Sequence, residues 1–240
     1  MTINRKVGFF FGYAHWMKGQ APSDAKRAGK IKWVPFPRYN DCWPCTRSWT
    51  IVDYYLRATP SFYHVKRGFA SVNTAVVQDK DCVSIFGIND LLMSFTGSLR
   101  YGIFTFGGKY VIDKTVDIEI SENSSEILAR IDTKHINDSN GVPFAILYDD
   151  QGKLVARDRL INDVYYKLPL LPPNIDITIG EGQFKFASPV FVMGVCLDLT
   201  GEQKLEDNMF DLYPGMEYSV LWNGDKPQIK WTLNSFFDCS

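Results

Sequence analysis

The sequence predicts a mainly β protein in which antiparallel β-sandwiches follow a short α/β segment. Three observations carry this. From Val72 onward, short runs rich in β-branched and aromatic residues alternate with polar, Gly-containing punctuation. A Pro-rich stretch, Leu168-Pro169-Leu170-Leu171-Pro172-Pro173, divides those runs into two groups. Helical spacing of apolar residues is found only ahead of Ala70. A chain of 240 residues buries on the order of 70% of its unfolded surface, so it needs no disulfide or metal staple.

In chain order, Phe9 to Lys18 reads as a helix and Ala21-Pro22-Ser23-Asp24 as a break. Ile31 to Phe36 reads as a buried strand that ends at Val34, because Pro35 and Pro37 each remove a backbone donor. Ser61 to Phe69 reads as a surface helix with Phe62, Val65 and Phe69 on one face and Lys66 and Arg67 turned elsewhere. Pro60 sits in its first turn, where the missing N–H does no harm. The first group of strands is expected at Val72–Val77, Cys82–Ile88, Leu99–Phe106, Tyr110–Ile120, Ile127–Ile131 and Phe144–Tyr148. The second is expected at Ile175–Ile179, Phe184–Phe186, Val190–Leu199, Tyr218–Trp222 and Ile229–Leu233. Tyr213-Pro214-Gly215-Met216 reads as a type II turn, with Pro presetting φ at its second position and Gly accepting positive φ at its third. The Pro-rich stretch reads as an interdomain hinge, which gives domains at 1–70, 71–168 and 169–240.

Composition excludes several classes. With 26 Lys+Arg against 27 Asp+Glu, the net charge of −1 supplies no electrostatic reason for a nucleic-acid or anionic-membrane partner. No apolar run approaches the roughly 20 residues of a membrane-spanning helix. Met1 to Met17 is faintly like a secretory signal but shows no small-x-small cleavage site, and the compartment stays open. The five cysteines form an odd, scattered set, for which a reduced or mostly unpaired state is the simpler reading. Cys42-Trp43-Pro44-Cys45 has the spacing of a redox or zinc half-site. A second ligand pair and a βαβ context are both missing, so neither metal nor cofactor is expected. Whether Cys42 and Cys45 pair with each other stays open.

The stretch from Arg38 to Phe69 contains Asn40-Asp41-Cys42-Trp43-Pro44, then Ser48-Trp49, Asp53-Tyr54-Tyr55 and the helical Tyr63-His64-Val65-Lys66-Arg67. It resembles the C-terminal part of a family 2 glycoside hydrolase of the β-mannosidase type, whose barrel ends in NDCWP, continues through SW and DYY and closes with a YxxKR helix. A second motif, from Asp207-Asn208-Met209-Phe210-Asp211-Leu212 through Tyr213-Pro214-Gly215-Met216-Glu217, resembles the DNxFDLxPGxE signature of the terminal immunoglobulin-like domain in the same enzymes. The two stand in the family's order. The resemblance implies the last strand and helix of a (β/α)8 TIM barrel over 1–70, followed by two immunoglobulin-like β-sandwiches. The chain departs from the family pattern at Pro37-Arg38-Tyr39, where a Trp-Gln is expected, and at Cys45.

The resemblance places Asn40, Asp41 and Trp43 at the border of a substrate pocket, and Trp33 and Tyr39 complete an aromatic set beside them. Flat rings stack on the apolar faces of a pyranose while Asn40, Asp41 and Arg38 offer hydrogen bonds to its hydroxyls. The same rings serve equally well as a lid over the core. Retaining glycosidases need two carboxylates about 5 Å apart, yet no Glu precedes Glu119, and the first 70 residues carry only Asp24, Asp41 and Asp53. Asp41 and Asp53 are the only substitute pair to consider, and no catalytic residue is expected in this chain. The implied role is support of a carbohydrate-hydrolysing barrel, with a carbohydrate-binding module as the alternative. The implied partners are a β-linked glycoside or oligosaccharide, and a catalytic barrel chain or a second copy meeting the helix at Phe62, Val65 and Phe69.

Overall fold

A computed structural model describes residues 51–53, 55–79, 82–139, 141–161, 163–180, 182–221 and 227–236. They fall into two compact units. One contains helix α1 (Pro60–Gly68) together with Leu199–Gln203; the other runs through Ala70–Asp198 and resumes at Lys204. The expected helix at 9–18 and strand at 31–34 lie outside the described residues.

Helix α1 starts as expected, with Pro60 at its first position and the extended Thr59 ahead of it. Its buried side is not the expected one. Tyr63 is the buried residue, 2% exposed, whereas Phe69 caps the C-terminus and is 60% exposed. Phe69 still donates its N–H to the Val65 carbonyl, but as the C-cap it has φ −100° and ψ 10°, outside helical values, so its side chain does not extend the apolar face.

The second unit begins with a seven-stranded sandwich. One sheet orders β1 (Val72–Gln78), β2 (Cys82–Asn89) and β5 (Ser124–Asp132) as β1-β2-β5. The other orders β3 (Phe95–Phe104), β4 (Tyr110–Ile120), β6 (Val142–Asp149) and β7 (Leu154–Arg159) as β4-β3-β6-β7. Every pairing is antiparallel. Short helix α2 (Thr133–Ser139) bridges β5 to β6. Val83, Ile85, Leu99, Ile103, Ala145 and Leu147 fill the space between the sheets. Asn89 is buried beneath the β2–β3 loop, where its amide donates to the carbonyls of Met93, Ile120 and Ser121 and its oxygen accepts from Leu91 N–H. It thereby satisfies loop groups that would otherwise be orphaned.

The second sandwich pairs β8 (Asp176–Gly180), β9 (Gln183–Ala187) and β12 (Tyr218–Leu221) in the order β12-β9-β8, facing β10 (Val192–Val195) and β11 (Phe210–Leu212). Phe186, Val195, Leu197, Phe210, Leu212 and Val220 form its core. The expected turn forms: Met216 N–H reaches the Tyr213 carbonyl at 3.0 Å, and Gly215 has φ 67°. Ile229–Leu233 does not form the expected strand. Only a bridge between Cys196 and Trp231 remains, and Leu233 opens a short helix, α3 (Leu233–Phe236). The Thr232 hydroxyl accepts the Ser235 N–H and starts that helix in place of a ladder.

Between the sandwiches lies a third core. Phe104, Phe106, Val142, Phe144 and Ile146 meet Phe191, Met193 and Tyr213, and Leu168 and Leu170 of the connecting segment pack against them. Strand β6 is consequently buried on both faces, which is why its sequence reads as an unbroken apolar run and not as an alternation. The Pro-rich stretch expected to be a hinge packs against this core.

Candidate functional site

Of the side chains singled out for chemistry, Trp33, Tyr39, Asn40, Asp41 and Trp43 lie outside the described residues, as do Cys42 and Cys45. Asp53 is described, and its role is to close a turn. Its carboxylate accepts from the Arg57 backbone N–H at 2.9 Å and from Arg57 Nε at 2.7 Å, within a bridge that pairs Val52 with Ala58. Desolvation works against the charge, but the hydrogen bonds from Arg57 hold the carboxyl below its usual range. An ionised group committed to two donors is a poor general acid, which argues against the Asp41/Asp53 pairing.

The same unit holds Leu199–Gln203. Gly201 has φ 70°, and a Cβ there would come 2.4 Å from the Ala58 carbonyl oxygen, so only glycine fits. Gly201→Ala is expected to loosen this packing. In hydrogen exchange, the Asp53 and Thr59 amides, which bond to the Arg57 and Ile51 carbonyls, are expected to open roughly tenfold more often, about 1.4 kcal/mol.

The 207–217 motif can be followed side chain by side chain. Asp207 accepts from the Asn208 N–H and from the Tyr218 hydroxyl. Buried Asn208 accepts from the Leu197 and Met209 N–H groups and donates to the Asp198 carbonyl. Phe210 packs on Phe186 and Tyr218 with ring centroids 5.2 and 4.7 Å apart. Asp211 accepts from Gly194 N–H at 2.9 Å and forms an ion pair with Arg159 of β7, Nε to Oδ2 at 2.9 Å. Tyr213 lies against Phe104 and Phe144. The Pro214 carbonyl accepts from the Tyr110 hydroxyl at 2.8 Å, and burial pushes that phenol up to about 12, so it stays a donor. Arg157 of β7 stacks over the Tyr218 ring at 3.7 Å. The motif is therefore a structural lock, its polar groups spent within the second sandwich or across the junction. Asn234 adds a further tie, accepting from Met193 N–H and donating to the Leu171 and Phe191 carbonyls.

Comparison with known proteins accords with this geometry. The Mannosidase Ig/CBM-like domain profile matches residues 81–162, which takes in most of the first sandwich. Beta-mannosidase B of Emericella nidulans is 26% identical over 237 residues, covering 90% of this chain and 27% of that protein. The Thermothelomyces thermophilus Beta-mannosidase B is also 26% identical, covering 87% of this chain and 29% of that protein. The β-D-mannosidase structure from Dictyoglomus thermophilum superposes with a TM-score of 0.68 and 30% identity, over 84% of this chain and 24% of that one. The chain is β-mannosidase-like. Its similarity is to the C-terminal region of such family 2 glycoside hydrolases, with immunoglobulin-like sandwiches, and it spans less than a third of the curated relatives' length.

Within this β-mannosidase-like chain, strand β7 escaped the sequence reading although it supplies both arginines of the junction and the seam of the first sandwich. Asp158, on its inner side, accepts the Val76 N–H at 2.8 Å and so satisfies an edge donor of β1 that has no ladder partner. Burial pushes the Asp158 carboxyl up to about 6 from an ordinary 3.8. The folded state thus keeps a proton that the unfolded chain releases, so this contribution to stability is complete below about pH 4 and is lost as pH rises through 6. The expected loss is up to about 3 kcal/mol, and Asp158→Asn is expected to remove that slope from melting curves taken between pH 4 and 7 while keeping an acceptor for Val76. Cys82 and Cys196 are free thiols, and burial pushes that of Cys196 upward, which makes it a packing residue and not a nucleophile.

Proposed function

We propose that this chain is a supporting region of a β-mannosidase-like glycoside hydrolase and does not hydrolyse glycosides by itself. The observation that carries this is the fate of its motif carboxylates. Asp207 and Asp211 bind backbone N–H groups, a tyrosine and an arginine inside the fold, and Asp53 is held by Arg57, which leaves none of the three poised for acid/base work. On this reading residues 1–70 contribute the end of a catalytic barrel, and 71–168 and 169–240 are two sandwich domains that form its platform. The platform meets a barrel, or a second copy, through the α1 region, and Asn40, Asp41, Trp43, Trp33 and Tyr39 border a pocket for a β-linked glycoside. The β-mannosidase names of the relatives favour a mannoside as that glycoside.

The test is hydrolysis of aryl β-mannoside, β-glucoside and β-galactoside by the purified chain, with Asp41→Asn alongside. No turnover is expected. Turnover that disappears in Asp41→Asn would make this an enzyme in its own right and defeat the proposal.

A further inference from the structure

Strand β4 leaves one edge of the first sandwich open. It spans eleven residues and pairs with β3 on one side only. Half of its backbone N–H and C=O groups therefore face away from the sheet. Side chains take up such groups on other edges: Asp158 accepts the Val76 N–H of β1, and Glu206 accepts the Leu221 N–H of β12. Along Tyr110–Glu119 no side chain among the described residues does the same. The stretch from Asp113 to Asp117 is exposed on both faces of the strand. Inward, Ile112, Lys114, Val116 and Ile118 border the first core, yet Val116, opposite the fully buried Leu99, is 38% exposed. The sandwich is one strand short of covering it. Outward, Asp117 and Glu119 stand opposite Ser98 and Thr96, and Thr96 donates to a further carboxylate, Asp150. Asp113 is neutralised by Arg100 at 2.7 Å, whereas Asp117 and Glu119 enter no ion pair among the described residues.

Charge decides what can fill the edge. A second copy of β4 is disfavoured, because antiparallel pairing centred anywhere from Lys114 to Asp117 opposes like charges. Lys114, turned inward, guards against indiscriminate pairing, although its stem can lie along an apolar neighbour while the ammonium reaches water. A strand that fits carries apolar residues on the side where Val116 is uncovered and basic residues on the side of Asp117 and Glu119, in alternation. We propose that β4 takes up an extended segment of a partner protein as a fifth strand of its sheet, and that this segment alternates apolar and basic residues. Backbone hydrogen bonds supply the affinity, and the two unpaired carboxylates select the sign of the partner. The edge is separate from the 33–43 pocket residues and serves in this way whether or not the chain turns over aryl glycosides.

The experiment titrates the full chain into a fluorescein-labelled synthetic peptide, as long as β4, that alternates valine and threonine with lysine. Two controls accompany it, one with the same composition but its lysines and valines in separate blocks, and one with glutamate in place of lysine. The alternating lysine peptide is expected to bind roughly tenfold or more tightly than either control. Hydrogen exchange of β4 amides is expected to slow when that peptide is added, which charge attraction alone would not cause. The exposed pair Asp117→Lys/Glu119→Lys is expected to lose the lysine peptide and to accept the glutamate one, and that gain shows that the variant is folded. If the variant melts early, the exchange pattern of the wild type carries the test. No binding of the alternating lysine peptide, equal binding of the block peptide, unchanged β4 exchange, or unchanged binding in the reversed variant would overturn the proposal.

Discussion

Asp211→Ala is expected to lower the stability of the sandwich pair by about 3–5 kcal/mol, read as a shift in urea midpoint at constant slope. The side chains of Arg159 and Asp211 are only 19% and 15% exposed. Removing the carboxylate therefore leaves a guanidinium with little water and no ion-pair partner, only the more distant field of Asp158, and the Gly194 N–H loses its acceptor as well. The cost arises from the orphaned partner and not from the worth of the pair. The double variant Arg159→Met/Asp211→Leu, which removes both charges and keeps the volume, is accordingly expected to recover the part of the loss that comes from the stranded charge, while the cost of the unbonded Gly194 N–H stays. A single variant within 1 kcal/mol of wild type would show that the pair is solvated and that the motif does not lock the junction.

Phe104→Ala is expected to cost a similar amount, about 3–5 kcal/mol, by a different route. The ring is fully buried and lies 5.4 Å from Phe144 on its own sheet, and 5.1 and 5.3 Å from Phe191 and Tyr213 of the second sandwich. Truncation opens a cavity whose walls belong to both sandwiches, so neither can collapse into it alone. Calorimetry of the wild type should give one transition for the pair, and the variant should melt lower with the two components beginning to separate. An unchanged melting profile would mean that the aromatic junction is an incidental contact.

Legibility in the sequence followed burial chemistry. Strand β6 was plain because burial on both faces makes its sequence continuously apolar, and the turn at Tyr213–Met216 was plain because Pro and Gly each have one reason to be there. Strand β7 was missed because Arg157, Asp158 and Arg159 occupy positions where a half-buried strand usually carries apolar residues. Those charges are paired, stacked or hydrogen-bonded across elements that no local pattern can see. Strand β11 was read as a motif and not as a strand for the same reason, its Asp211 answering to a residue 52 positions away. The wrong face of α1 came from extending the helical period through Phe69, the C-cap one residue past the last helical position, Gly68. The buried asparagines at 89, 208 and 234 carry no periodic signal, since an amide that satisfies several backbone groups reads as loop punctuation. The two family motifs were recognisable as strings, and the geometry supplies a physical meaning for the second: it joins two sandwiches.

The packing of Leu168 and Leu170 against the shared aromatic core bears on how such chains can be recombined. A segment that looks in sequence like a seam between interchangeable modules acts as a strut, because its own leucines complete the core on which both halves depend. Cutting and grafting at 168–173 would expose Phe104, Phe144, Phe191 and Tyr213 at once and yield two insoluble halves. A graft made at Ala70, where the compact unit begins, carries the sandwiches over as one inherited block.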